Sequence, residues 1–128
     1  MAKKTQTTPC AAGGPELLPL EIRLLKKDVA TFTIRVCRAN ADVEATLQPV
    51  PHGPSTVLFS THGQAISKAT LPALTPGRHV LFWSVLTASA PWQTRADLVV
   101  NGTTRLLRRK TDGGAKPLNM GFLILEVV

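Results

Sequence analysis

Apolar and polar residues alternate with a period of two along much of this chain. Over Thr31–Arg38, Phe32, Ile34 and Val36 share one side, while Thr33, Arg35 and Cys37 share the other. That period marks a half-buried β-strand. Val43–Leu47 repeats it, with Val43, Ala45 and Leu47 on one side and Glu44 and Thr46 on the other. Leu20–Lys26 alternates in part, through Leu20, Ile22 and Leu24, although Leu17, Leu20, Leu24 and Lys27 also fit a helical stripe. Further strands are predicted at Thr56–Thr61, Gln64–Leu71, Arg78–Thr87, Gln93–Val100, Thr103–Arg109 and Asn119–Val127. Segments rich in Pro and Gly separate them: Gln48–Ser55, Pro72–Gly77, Ala88–Pro91 and Thr111–Pro117. Asn40–Asp42 reads as a turn. Asn101-Gly102 lies between two β-rich runs, and both residues tolerate the positive φ of a type I′ hairpin turn.

About eight to nine strands at this spacing predict an all-β fold, a two-layer antiparallel β-sandwich formed by residues 16–128 as one domain. Residues 1–15, with Pro9, Gly13, Gly14 and Pro15, read as a flexible N-terminal arm. The connection Leu71–Gly77, Leu-Pro-Ala-Leu-Thr-Pro-Gly, leads into an apolar strand. In this the chain loosely resembles immunoglobulin-like and jelly-roll modules. The resemblance implies architecture alone, because the Cys…Trp…Cys arrangement of immunoglobulin domains is missing.

Two strands carry more apolar surface than one face accounts for. In Arg78–Thr87, Val80, Phe82 and Leu86 lie on one face and Leu81, Trp83 and Val85 on the other. In the last strand, Leu123, Leu125 and Val127 share a face, and Phe122, Ile124 and Val128 dominate the other. A two-layer domain buries one face per sheet. The surplus face is either capped by loops or meets another subunit. Self-association is expected through Leu81, Trp83 and Val85, or through Leu123, Leu125 and Val127, giving a homo-oligomer.

Composition narrows the class. Of 128 residues 44% are hydrophobic and 18% charged, which excludes an intrinsically disordered chain. Four Phe, two Trp and no Tyr require a mainly aliphatic core. Fifteen Lys+Arg against eight Asp+Glu give +7. The densest cluster is Arg105, Arg108, Arg109 and Lys110, with Lys116 beyond; under strict alternation Arg105 and Arg109 share one face. Such a cluster either guards a sheet edge or binds nucleic acid or another polyanion.

Catalytic and metal motifs are missing. The chain has no HExxH, CxxC or GxSxG, and its three His and few carboxylates are scattered. No metal, cofactor or catalytic set is assigned. Trp92 after Ala90-Pro91 reads as a loop residue, a candidate for stacking on a sugar ring. Cys10 and Cys37 read as two free thiols in a reducing compartment. Lys3 and Lys4 precede Thr5–Pro15, which is polar and small, so no secretory signal is read. That leaves a cytoplasmic home, export without a signal, or a place in an assembled particle. No apolar run is long enough for a transmembrane helix. The expected function is a non-enzymatic β-sandwich interaction or structural module, an assembly subunit or lectin-like binder of protein or glycan. A polyanion-binding module is the alternative, and a small hydrolase the second alternative.

Overall fold

The computed structural model describes residues 21–37, 41–87, 92–112 and 118–128; of these, Thr87, Trp92, 108–112, 118 and 119 are described by backbone alone. Nine strands run through them: β1 (Glu21–Leu24), β2 (Ala30–Cys37), β3 (Ala41–Val50), β4 (Thr56–His62), β5 (Ile66–Thr70), β6 (Gly77–Thr87), β7 (Trp92–Val100), β8 (Thr103–Asp112) and β9 (Leu118–Val127). They form a five-stranded sheet in the order β1-β9-β6-β3-β4 and a four-stranded sheet in the order β5-β2-β7-β8. All pairs are antiparallel except β1 with β9. The fold is the expected all-β sandwich.

Alternation sets the interior. Phe32, Ile34 and Val36 of β2 and Val43, Ala45 and Leu47 of β3 are buried, as their period implies. Phe32 lies at the centre, tilted against Trp83 with ring centroids 5.2 Å apart and stacked on Phe59 at 5.9 Å. The Trp83 indole lies across Gly121, its partner on β9. A Cβ at position 121 would sit 2.4 Å from an indole ring carbon. Glycine is there because the largest core side chain occupies the space.

The Asn101-Gly102 hairpin forms as read. Val100 pairs with Thr103, and φ is +49° at Asn101 and +88° at Gly102. Asn101 does more than turn the chain. Its Oδ1 accepts from the Val29 amide at 3.0 Å, and its Nδ2 donates to Asp28 Oδ1 at 2.9 Å. The Leu25 amide donates to Asp28 Oδ2 at 2.9 Å. Together these bonds tie the β1–β2 turn to the β7–β8 hairpin. They stabilise the ionised carboxylate, the Leu25 amide most, so Asp28 titrates below the usual carboxylate range.

Several expectations are corrected. Residues 21–24 form a strand alongside β9, as the alternation predicts, and only the alternative helical stripe is set aside for them, because Ile22 and Leu24 are buried by period two. β3 begins earlier than the expected Asn40–Asp42 turn allows: Ala41 and Asp42 already pair with Thr87 and Leu86. It also runs through Pro49 to Val50. Beyond Leu47 it pairs with β6 alone, an edge-like position where proline is tolerated. Trp92 is the first residue of β7 and not a loop residue. Cys37 is disulfide-bonded, and among the described residues no cysteine is free, contrary to the reading of Cys37 as a free thiol. An outward position at a strand end carries no sign of what the sulfur bonds. The expected arm and Cys10 lie outside the described residues.

Two outcomes test this packing. Gly121→Ala is expected to lower stability by about 1–3 kcal/mol in denaturant unfolding, through overpacking against Trp83. Asn101→Ala is expected to raise the Asp28 pKa, read by carboxyl NMR. A lowered carboxylate pKa adds stability at neutral pH that is lost as pH falls through the folded-state value. The variant should therefore lose part of the native protein's acid-dependent stability change.

Candidate interaction surfaces

The two strands that are apolar on both sides, β6 and β9, lie next to each other in the five-stranded sheet. Leu81, Trp83, Val85, Leu123, Leu125 and Val127 all point inward and are at most 3% exposed. This corrects the residues read for self-association: the sequence shows two apolar faces, and period two alone does not say which one is inside. The opposite face is the open one. Phe82 is 40% exposed, Leu86 49%, Met120 56% and Phe122 47%. Phe82 sits directly opposite Phe122, and Ser84 opposite Met120; half-buried Val80 opposite Ile124 continues the patch. At roughly 150–200 Å² per large side chain, the four exposed residues leave about 300–400 Å² of apolar surface in water. That matches the largest patch of a typical monomer, which is often functional.

Charges of both signs frame the patch. At one end Arg78 pairs with Glu21 at 3.6 Å and Arg23 with Glu126 at 3.7 Å, both loosely and in solvent. Beside the other end lie Asp42 and Glu44 of β3, with His62 Nδ1 3.1 Å from Asp42 Oδ1.

The four outer strands of the sheets are guarded differently. β1 is four residues long and carries Glu21 and Arg23. β4 has a register break opposite Ala45/Thr46. β5 is five residues long and carries Lys68. β8 is the edge strand that holds Arg105, Arg108, Arg109 and Lys110. Short length, bulges and charge all discourage strand addition. On β8 the bulge falls at Leu107: Leu106 faces Asp97 and Arg108 faces Ala96 across the pair. The extra residue interrupts the strict alternation that placed Arg105 and Arg109 on one face. Arg105 is exposed. Only the backbone of Arg108, Arg109 and Lys110 is described, and Lys116 lies outside the described residues.

Charge is divided unequally between the layers. The four-stranded sheet holds Arg35, Lys68, Arg95, Arg105, Arg108, Arg109 and Lys110 against Asp97 and Asp112, a net of +5. The five-stranded sheet holds Arg23 and Arg78 against Glu21, Asp42, Glu44 and Glu126, a net of −2. One feature of the basic layer escaped the sequence reading. Arg95 Nε donates to both carboxylate oxygens of Asp97, at 3.0 and 2.8 Å. Both residues are buried, as are Thr33 and Leu106, on the side turned away from the core. The i, i+2 spacing of opposite charges within one strand was the available signal, since such residues share a face.

Among the described residues, no three His, Cys, Asp or Glu side chains gather to hold a metal ion. Among the same residues, no helix is long and apolar enough to cross a membrane. No family model matches this chain, and no curated protein matches it.

Proposed function

We propose that this chain is a non-enzymatic assembly module that pairs with a second copy of itself through the outer face of its five-stranded sheet. The observation that carries this reading is the continuous apolar patch of Phe82, Leu86, Met120 and Phe122 on the two central strands. Self-pairing suits the charges around it. A two-fold axis that reverses strand direction sets the Arg78 end of one copy over the Asp42 end of the other. Burying about 300–400 Å² of apolar surface per copy is worth roughly 8–10 kcal/mol at ~25 cal/mol per Å². Two copies together offset an association cost of about 4–15 kcal/mol. The chain's net charge of +7 opposes pairing, so salt should strengthen it.

A second reading rests on the charge division. The basic edge strand β8 binds nucleic acid or another polyanion through Arg105, Arg108, Arg109 and Lys110, while the apolar face holds copies together.

Sedimentation at tens of micromolar tests the first reading. Phe122→Glu should yield a folded monomer, whereas Val85→Glu, a core substitution, should unfold the chain. A native protein that is monomeric throughout that range would refute self-pairing. For the second reading, Arg105→Ala with Arg109→Ala should lower the salt slope of binding to a DNA duplex by about 2, near one unit per lost phosphate contact. An unchanged slope would remove β8 from the interface.

A further inference from the structure

One outer face of the sandwich is more buried than two layers make it. All nine described strands belong to the two sheets, so none of them lies over the outer face of the four-stranded sheet. Side chains on such a face ordinarily stand in water. Yet Thr33 of β2, Arg95 and Asp97 of β7 and Leu106 of β8 point outward and are at most 9% exposed. Thr33, Asp97 and Leu106 form one row across the strands. Arg95 lies further along β7, toward the end where Gln93 faces Cys37. Around this band the same face is open: Lys68 and Thr70 of β5 and Thr104 of β8 are exposed. The burial therefore has the outline of a strap and not of a third layer.

A second observation meets the band at its end. Cys37, the last residue of β2, shares the outward face of Thr33 and is disulfide-bonded. The chain has one other cysteine, Cys10, so a bridge within the chain joins these two. Cys10 precedes Glu21, the start of β1, by eleven residues, a reach of about 36–40 Å when extended. Thr61 of β4 and Ser67 of β5 lie 2.6 Å apart. That contact brings those two edges together and leaves β1 and β8 along the opposite side of the sandwich. Chain running back from Glu21 thus rounds the β8 edge, about 10 Å from sheet to sheet, and crosses β8 and β7 to β2 in about another 10 Å. The remainder, about 16–20 Å, covers the ~13 Å along β2 from Thr33 to Cys37. This path passes over Leu106, Asp97 and Arg95 in turn.

We infer that the outer face of the four-stranded sheet is a docking surface for residues 10–20 of the same chain, latched by a Cys10–Cys37 bridge that a dithiol opens. The segment has apolar residues to set against Leu106, among them Leu17, Leu18 and Leu20. Charge gives it no hold. The chain before Glu21 carries Lys3 and Lys4 against Glu16, and the sheet beneath has a net charge of +5. Like charges oppose docking, so the covalent tie decides whether the segment stays. While the bridge is closed, docking is intramolecular and needs little affinity of its own. A dithiol passes two electrons and two protons to the bridge. The S–S bond breaks to give the thiols of Cys10 and Cys37, and the dithiol closes to its own disulfide. Release of the segment then uncovers the band from Leu106 to Arg95. This face belongs to the layer opposite the one proposed for self-pairing, so either proposal stands or falls without the other.

Two measurements on the full chain test it, with dithiothreitol as the dithiol. Proteolysis without reductant, read by mass spectrometry, should give a peptide pair joining Cys10 to Cys37, from a chain that runs as a monomer under denaturing, non-reducing conditions. Leucine methyl NMR with a soluble paramagnetic chelate then reads the cover. In the oxidised chain the Leu106 methyls should be protected like those of Leu123. After reduction, or in Cys10→Ser without reductant, they should broaden to the level of Leu25, which is 48% exposed, while Leu123 and Leu125 stay protected. If Cys10→Ser fails to fold, the reduced native chain still decides. Free cysteines, or cysteines joined between two copies, would overturn the proposal. So would a Leu106 signal that does not change on reduction, or a reduction that unfolds the core.

Discussion

A two-layer sandwich has one interior, and each of its strands turns alternate residues toward it. That constraint governs most of what this chain does. β6 and β9 are apolar on both sides, so whichever side is buried, the other meets water. The side that wins holds Trp83, and the reason is steric as well as hydrophobic. The indole needs a position across the pair with no side chain, and Gly121 provides it. With Trp83 inside, Leu81, Val85, Leu123 and Leu125 follow by period two, and Phe82, Met120 and Phe122 are left outside.

This also marks where the sequence could be read and where it could not. Strands such as Thr31–Arg38 and Val43–Leu47, with one apolar and one polar face, were legible with the correct side inward. The Asn101-Gly102 turn was legible because two positive φ values select those residues. For β6 and β9 the pattern is symmetric. The strands were found, but the six residues read as the interface are core and their neighbours form the open face. The position of Trp83 opposite Gly121 depends on strand register, which no local pattern encodes. The bulge at Leu107 is likewise invisible in a run that reads simply as Arg-Leu-Leu-Arg. The buried Arg95–Asp97 pair was written in the spacing but not recognised, because charged residues in a strand are first read as solvent-facing.

Charge and apolar surface are separated in this molecule. The four-stranded sheet carries most of the chain's excess positive charge, and its edge strand β8 is studded with cations. The five-stranded sheet is slightly acidic and carries the exposed aromatic pair. Repulsion between basic layers would oppose contact through that side most strongly, while the apolar face, framed by charges of both signs, meets less of it. The guarded edges act in the same direction, since they discourage growth of the sheets sideways. Face-to-face pairing is the mode of contact these features leave open.

The most direct measurement is the carbon and proton shift of the Met120 methyl group followed on dilution. With methionine and leucine methyl labelling, the methionine region holds the signals of Met1 and Met120 and the leucine region reports the core. Met120 stands beside Ser84 on the open face, 56% exposed in the single chain. The account predicts that its signal moves as the protein is diluted from hundreds to a few micromolar, while the core methyls of Leu123 and Leu125 hold their positions. A Met120 signal that stays fixed over that range, in a protein whose core signals are those of the folded state, would contradict it.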